Sequence, residues 1–140
     1  MDCYDKTTRS RVMRSVHGKN TSLEMYVRKE FFEAGFRYRL HKTDLPGKPD
    51  IIFPKYKTVI FVNGCFWHQH PGCKRATVPS TNRDYWEKKL RRNVERDAQE
   101  IALLKKAGWR VFIIWECRIL LQTKYYIGYL KKCKQKSMNI

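Results

Sequence analysis

Residues 49–62 have the sequence PDIIFPKYKTVIFV, in which two runs of β-branched and aromatic residues are separated by a turn around Lys55. Short apolar runs of this composition, bounded by proline and polar residues, are typical of strands. We therefore predict strands at Asp50–Phe53 and Thr58–Val62. A third strand is predicted at Arg37–Leu40, before the first of these.

Helical patterns come before and after these strands. Thr21 and Glu24 match a capping box, and apolar residues recur at helical spacing until Gly35, so a helix is predicted at about 22–34. A longer helix is predicted at Asn82–Ala107, because its apolar residues form one stripe: Trp86, Leu90, Val94, Ile101 and Leu104.

The remaining segments complete one domain. A strand is predicted at Arg110–Trp115, a short basic helix at about 8–16, and a partly frayed, basic helical tail at 118–140. The order of these elements predicts a single α/β domain over residues 1–140, with a mixed central sheet flanked by helices. The chain shows no internal repeat and no interdomain linker.

The chain carries a large excess of positive charge, with 30 Lys and Arg against 13 Asp and Glu and a formal net charge of +17. Such an excess is typical of proteins that bind a polyanion, and nucleic acid is the first candidate. No stretch is apolar enough for a signal peptide or a transmembrane helix, so we expect a cytoplasmic protein without a membrane partner. The odd number of cysteines, five, argues against a disulfide framework.

The segment 63–79 is rich in Gly, His, Cys and Pro and lacks helical or strand periodicity, so something must organise it. Four candidate metal ligands come from this segment and from the end of the last predicted strand: Cys65, His70, Cys73 and Cys117. Thiolates with an imidazole form the tetrahedral ligand set of structural zinc, which predicts a zinc-stapled loop. Inert burial of the thiols is the alternative, and His68 is a rival ligand to His70.

Three acids and one histidine are candidates for chemistry. Asp50 opens an apolar strand after a proline, as in nucleases that hold magnesium at the scissile phosphate, although Pro-Asp is also a common turn. Glu24 is explained by its capping box. Asp97 lies on the apolar stripe of the long helix, where an unpaired carboxylate is costly, so a histidine or arginine partner is expected. His68, in the metal loop, is a candidate for proton transfer.

Five motifs spread over most of the chain occur together: LPGKPD at 45–50, GCFWH at 64–68, NVERD at 93–97, GWRV at 108–111 and WEC at 115–117. This combination resembles the very short patch repair (Vsr) endonuclease family. The resemblance implies a restriction-endonuclease-like core. It also implies an enzyme that uses Mg²⁺ to nick double-stranded DNA on the 5′ side of the thymine in a T:G mismatch, which deamination of 5-methylcytosine leaves behind.

The resemblance implies roles for individual residues in the Mg²⁺ site and in proton transfer. Asp50 matches the metal-binding aspartate, and the carbonyl of Val62 falls where a backbone oxygen completes that site. His68 matches the histidine that handles the proton of the attacking water. Glu24 and Asp97 match the supporting acids.

The four cysteine and histidine ligands named above match the structural zinc ligands of the family. One departure lies next to them. Asn63 stands where relatives commonly carry an active-site histidine, and an amide can donate to a phosphate but cannot transfer a proton. His68 is therefore expected to carry more of the acid and base work.

The resemblance also implies how DNA is contacted. Phe66 and Trp67 match an aromatic pair that wedges beside the mismatch from the major groove, and Met13 matches an apolar side chain entering from the N-terminal segment. Residues 1–20 are expected to contact DNA through three arginines: Arg9, Arg11 and Arg14. We expect a monomer, with mismatch-repair proteins as candidate partners. The alternatives are a sequence-specific restriction-type endonuclease on the same core and a non-catalytic zinc-containing DNA-binding module.

Overall fold

The computed structural model describes residues 22–40 and 44–138 of the chain. Their helices and strands follow the predicted order: α1 (Ser22–Glu33), β1 (Arg39–Leu40), β2 (Ile51–Phe53), β3 (Thr58–Asn63), α2 (Arg83–Lys106), β4 (Arg110–Trp115) and α3 (Ile119–Met138). Two short 3-10 turns, Pro54–Tyr56 and Glu116–Arg118, follow β2 and β4. The predicted α/β class is confirmed, while the helix predicted at about 8–16 lies outside the described residues.

The four strands form one mixed sheet in the order β1-β2-β3-β4. The pairs β1/β2 and β2/β3 are antiparallel, whereas β3 and β4 run parallel, from Thr58 opposite Arg110 to Asn63 opposite Trp115. A parallel pair needs a long crossover, which α2 provides. Asp50, whose N–H donates to Ile60 O at 3.0 Å, starts β2 beside the end of β3. Asp50, Asn63 and Trp115 therefore lie at one end of the sheet, which we call the site end.

The sheet is packed between two helical layers. Successive residues of a strand point to opposite faces, so Ile51 and Phe53 pack in the core with α1 and α3, while Ile52 packs on the α2 side. The first core is strongly aromatic, and the rings of Phe31 and Phe53 lie 5.1 Å apart between centroids. On the other face, the fully buried Leu104 anchors the last turns of α2.

The basic C-terminal tail, predicted to be helical, forms the helix α3 from Ile119 to Met138 in the described part of the chain. Two side chains hold α3 on the sheet: Tyr126 stacks on Phe112 at 4.2 Å and donates to Ile113 O at 3.2 Å, and Leu130 is fully buried. This apolar anchoring outweighs the repulsion between its lysines. Neither α3 nor any other helix in the described part of the chain is long and apolar enough to cross a membrane.

The apolar stripe predicted on α2 is wrong at Val94. Val94 is 42% exposed, whereas Asn93 is only 7% exposed. The first turns of α2 extend past the sheet and pack on the loop after β3, where Asn93 Nδ2 donates to Trp67 O at 3.1 Å. A carbonyl on this loop therefore makes an asparagine the buried residue at this turn of the helix.

The loop before β2 packs closely against α2, and this contact gives a test of the fold. Gly47 has φ +74°, and a Cβ there would lie 2.8 Å from Glu100 Oε2 and 3.1 Å from Phe61 Cζ. Gly47→Ala should lower the free energy of unfolding by about 1 to 3 kcal/mol, because it adds backbone strain and a steric clash. Urea unfolding followed by circular dichroism measures the change.

Gly72→Ala is the matched control for this substitution. Gly72 has a similar φ of +71°, but nothing lies within 4 Å of a Cβ built there. Gly72→Ala adds the backbone strain without the clash, so the decrease in the free energy of unfolding should be smaller than for Gly47→Ala. Equal losses in the two variants would contradict the close packing of Gly47 on α2.

Candidate active site and metal cluster

Asp50 is the central carboxylate of the site end. Its Oδ2 accepts a hydrogen bond from Val62 N–H at 2.7 Å, which joins the start of β2 to the end of β3. The pKa of Asp50 is raised to about 7, first by burial and also by the adjacent Glu24, against the lowering effects of the Val62 N–H and of His68. A bound cation stabilises the ionised form of a carboxyl group that is buried beside a second acid.

Glu24 lies beside Asp50, since its charge and a hydrogen bond between the two carboxyl groups raise the Asp50 pKa. Glu24 is only 2% exposed and pairs with Arg28 one helical turn later, with Nη2 2.9 Å from Oε2. Its predicted capping partner, Thr21, lies outside the described residues. The packing of α1 on the sheet therefore brings a second buried acid to Asp50.

His68 and Asp97 form a hydrogen-bonded pair between the loop after β3 and α2, with His68 Nδ1 2.6 Å from Asp97 Oδ2. This confirms that Asp97 has a histidine partner. An aspartate at Nδ1 fixes the orientation of the ring, favours the proton on Nδ1 and leaves Nε2 as the basic nitrogen. Because His68 also lowers the pKa of Asp50, this pair belongs to the same site.

Asn63 is buried at the end of β3 and lines a small cavity with Asp97 and Glu100, which has room for about one water molecule. Burial raises the pKa of Glu100. The neighbouring Arg96 and His68 lower this pKa, and Asp97 raises it. Glu100 was missed in the sequence, although it follows Asp97 by three residues and so shares its helix face.

The predicted metal ligands come together. The ligand atoms of Cys65, His70, Cys73 and Cys117 all lie within 4.8 Å of one another. His70 Nδ1 is 3.7 Å from Cys65 Sγ and 3.4 Å from Cys117 Sγ. These values bracket the sulfur–nitrogen separation of about 3.6 Å expected around a tetrahedral zinc ion. The residues fit a soft four-coordinate metal, and His70 is the imidazole of the cluster because Asp97 engages His68.

Neighbouring residues orient these ligands. The His70 ring stacks on Trp115 at 4.1 Å. Glu116 accepts a hydrogen bond from Cys65 N–H at 3.3 Å and pairs with Arg75 at 3.6 Å. Burial raises the pKa of the Cys65 thiol to about 12, so a bound cation is needed to hold it as a thiolate. The sequence identifies Trp115 and Glu116 only as part of the motif at 115–117.

The two aromatic residues of the loop belong to a larger cluster. Phe66 packs edge-on against Trp67 at 5.1 Å and against Trp86 of α2 at 5.7 Å. Phe66 is only 9% exposed, and Trp67 is half-buried. Phe66 and Trp67 are therefore less exposed in the free protein than is expected for side chains that insert into DNA. The other predicted DNA contacts lie outside the described residues: Arg9, Arg11, Met13 and Arg14.

Comparison with known proteins gives one consistent result. The family model of the DNA mismatch endonuclease Vsr matches residues 1–75. The type II nicking enzyme V.NmeAIP of Neisseria meningitidis is 43% identical over 118 residues, which cover 84% of this chain and 84% of the relative. The type II nicking enzyme V.XorIIP of Xanthomonas oryzae is 45% identical over 108 residues, with coverage of 77% and 79%.

The DNA mismatch endonuclease Vsr of Escherichia coli is 41% identical over 118 residues, which cover 84% of this chain and 75% of the relative. The family model thus matches more than half of the chain, and the relatives match most of it. These matches exclude the non-catalytic alternative and identify the chain as a DNA endonuclease that belongs to the DNA mismatch endonuclease Vsr family.

Proposed function

We propose that this protein nicks double-stranded DNA on the 5′ side of the thymine in a T:G mismatch, in a Mg²⁺-dependent reaction that starts repair of deaminated 5-methylcytosine. The observation that carries the proposal is the meeting of the Asp50–Glu24 carboxyl pair with the His68–Asp97 pair at one end of the sheet. A cation-binding acid beside an oriented histidine is what hydrolysis of a phosphodiester requires. The relatives named as nicking enzymes favour cleavage of one strand over a double-strand restriction cut.

In the proposed mechanism, Asp50 and the carbonyl of Val62 would hold Mg²⁺, with Glu24 as the supporting acid, and a bound ion would supply neutralisation of the negative charge on the phosphate. His68 accepts a proton at Nε2 from the water whose oxygen forms the new bond to phosphorus. The phosphorus–oxygen bond opposite the water breaks, and the leaving oxygen departs with the electron pair and takes up a proton from solvent. Asp97 stabilises the imidazolium that forms. Asn63 donates a hydrogen bond to the phosphate.

We propose zinc as the metal of the Cys65–His70–Cys73–Cys117 cluster. Three thiols with one imidazole form a donor set that zinc prefers, and a closed four-ligand site contributes directly to folding. The loop that carries three of these ligands also carries Phe66, Trp67 and His68. Zinc therefore holds the catalytic histidine and the aromatic pair in place without taking part in the reaction.

Asp50→Asn should separate chemistry from stability. Loss of the metal-binding carboxylate should slow nicking at least about 100-fold while leaving mismatch binding largely intact. Because the pKa of Asp50 is raised to about 7 in the folded chain, the folded state holds an extra proton between about pH 4 and 7. The metal-free wild type therefore loses stability as pH rises through this window, and the variant should be more stable at pH 8 by on the order of 2 kcal/mol.

Single-turnover nicking and chemical unfolding in chelator at two pH values test both parts. The stability difference between Asp50→Asn and the wild type should shrink towards zero as pH falls to about 3, where Asp50 is protonated in both the folded and the unfolded state. Added Mg²⁺ should stabilise the wild type and leave the variant unchanged. Near wild-type nicking by the variant would sink the assignment of Asp50.

Cys73→Ser tests the zinc cluster. The wild type should contain one zinc per chain, and the variant should lose the metal together with thermal stability, because the metal contributes folding free energy. His68→Ala is the matched control from the same loop. It should keep its zinc and lose nicking at least about 100-fold. Metal analysis that finds zinc lost from His68→Ala and kept in Cys73→Ser would reverse the two assignments.

The aromatic pair is proposed to discriminate the mismatch. Opening a T:G step should cost less than opening a matched C:G step, and stacking on the exposed bases returns roughly 1 to 3 kcal/mol per ring. Phe66→Leu/Trp67→Leu keeps apolar volume in the loop, yet should narrow the ratio of T:G to C:G affinity about tenfold or more. Titration of both duplexes at fixed salt measures the ratio.

Phe36→Leu is the control for general loss of aromatic packing, since Phe36 is 2% exposed and packs on Tyr56 at 5.7 Å, at the other end of the sheet. Its ratio of affinities should match that of the wild type. An equal fall of both affinities in the loop variant would mean that the pair grips DNA in general without reading the mismatch.

A further inference from the structure

The end of the sheet opposite the site end is strongly basic. Lys57 precedes β3 and Arg110 begins β4, and the N–H of Arg110 donates to Lys57 O at 2.7 Å. The last turn of α2 reaches the same place, because Trp109 N–H donates to Leu104 O at 3.0 Å. We call the six exposed cations of this surface the basic end: Lys55, Lys57, Lys105, Lys106, Arg110 and Lys132.

Acidic residues do not neutralise this surface. Residues 51–83, 101–115 and 117–140, which supply all six cations, contain no aspartate or glutamate. Within residues 22–40 and 44–138, none of the six pairs with a carboxylate, and the ion pairs present there involve other cations. The helix α1, which contacts α3, carries Glu30 and Glu33. The charge of the basic end is therefore available to an external anion.

Aromatic rings hold several of these cations. Lys57 Nζ lies 4.8 Å from the centroid of the Trp109 ring, and Arg110 lies 4.8 Å from the Tyr129 ring. Arg110 also donates to Cys133 Sγ at 3.4 Å. An aromatic ring restricts a cation without cancelling its charge, whereas a carboxylate does both. Lysines at helix ends complement the helix dipole, but this explains only the cations of α2 and α3.

The basic end faces away from the catalytic residues. Five residue steps along β3 separate Thr58 from Asn63, about 17 Å, and nine along α2 separate Asp97 from Lys106, about 14 Å. A duplex whose axis crosses the site end at right angles to the strands leaves the opposite end of the sheet uncovered. We propose that the basic end is a second DNA-binding surface, which holds the phosphates of another duplex segment while the site end engages the substrate.

Energy transfer between two short duplexes tests this proposal. A donor-labelled T:G duplex and an acceptor-labelled matched duplex are mixed with the full chain without Mg²⁺. We expect energy transfer at low salt that disappears as salt rises, because phosphate contacts release counterions. Lys55→Gln/Lys106→Gln/Lys132→Gln should weaken binding of the second duplex at least about tenfold and lower its salt slope by about 3.

The control variant Lys29→Gln/Arg37→Gln/Lys124→Gln removes the same charge from exposed positions elsewhere. It should keep the energy transfer, and both variants should nick the T:G duplex at the wild-type rate. The nicking assay therefore tests the proposed function separately. The second surface depends on the proposed function only in that DNA is the ligand. Absence of energy transfer in the wild type, equal loss in the control, or tighter binding of anionic phospholipid vesicles than of duplex would overturn the proposal.

Discussion

The parallel pairing of β3 with β4 is the constraint on which the rest of the structure depends. Its register sets Asn63 opposite Trp115, so the residues that follow both strands emerge side by side. Cys65 follows one strand and Cys117 the other, which allows the metal cluster to close. The same pairing requires a crossover, and α2, which serves as that crossover, carries Asp97 to His68. One strand pair thus positions both the cluster and the His68–Asp97 pair.

The site that results is electrostatically unfavourable in the absence of a cation. Asp50 and Glu24 are buried next to each other, and burial alone raises the pKa of Asp50 well above its ordinary range. The Val62 N–H and the Arg28 guanidinium offset part of this cost. Acids kept together under such conditions favour binding of a divalent cation, which links the packing of α1 on the sheet to hydrolysis of a phosphodiester.

The loop after β3 carries three of the cluster residues and the aromatic residues proposed to contact DNA. Turn hydrogen bonds, such as that from His70 N–H to Cys65 O at 3.0 Å, hold its backbone. Side chains of other elements add to this order: Asn93 of α2 holds the Trp67 carbonyl, Glu116 holds the Cys65 N–H, and Trp115 stacks on His70. Within nine residues it carries three candidate metal ligands, His68 and two aromatic rings. A change that loosens the cluster therefore displaces His68 and the two rings together.

By itself, the sequence determined the α/β class, the order of elements, the cysteines that cluster with a histidine of the loop and the need of Asp97 for a partner. These depend on local periodicity, on spacing in the chain and on the cost of an unpaired carboxylate, all of which act over short distances. Only the tertiary structure decided that His70 and not His68 joins the cluster, because Asp97 reaches His68 from another element. It also decided that Glu24 meets Asp50, that Glu100 borders the site, and that Asn93 is buried where Val94 was expected. Each of these depends on how helices pack across the sheet, and such contacts between distant residues leave no periodic trace in the sequence.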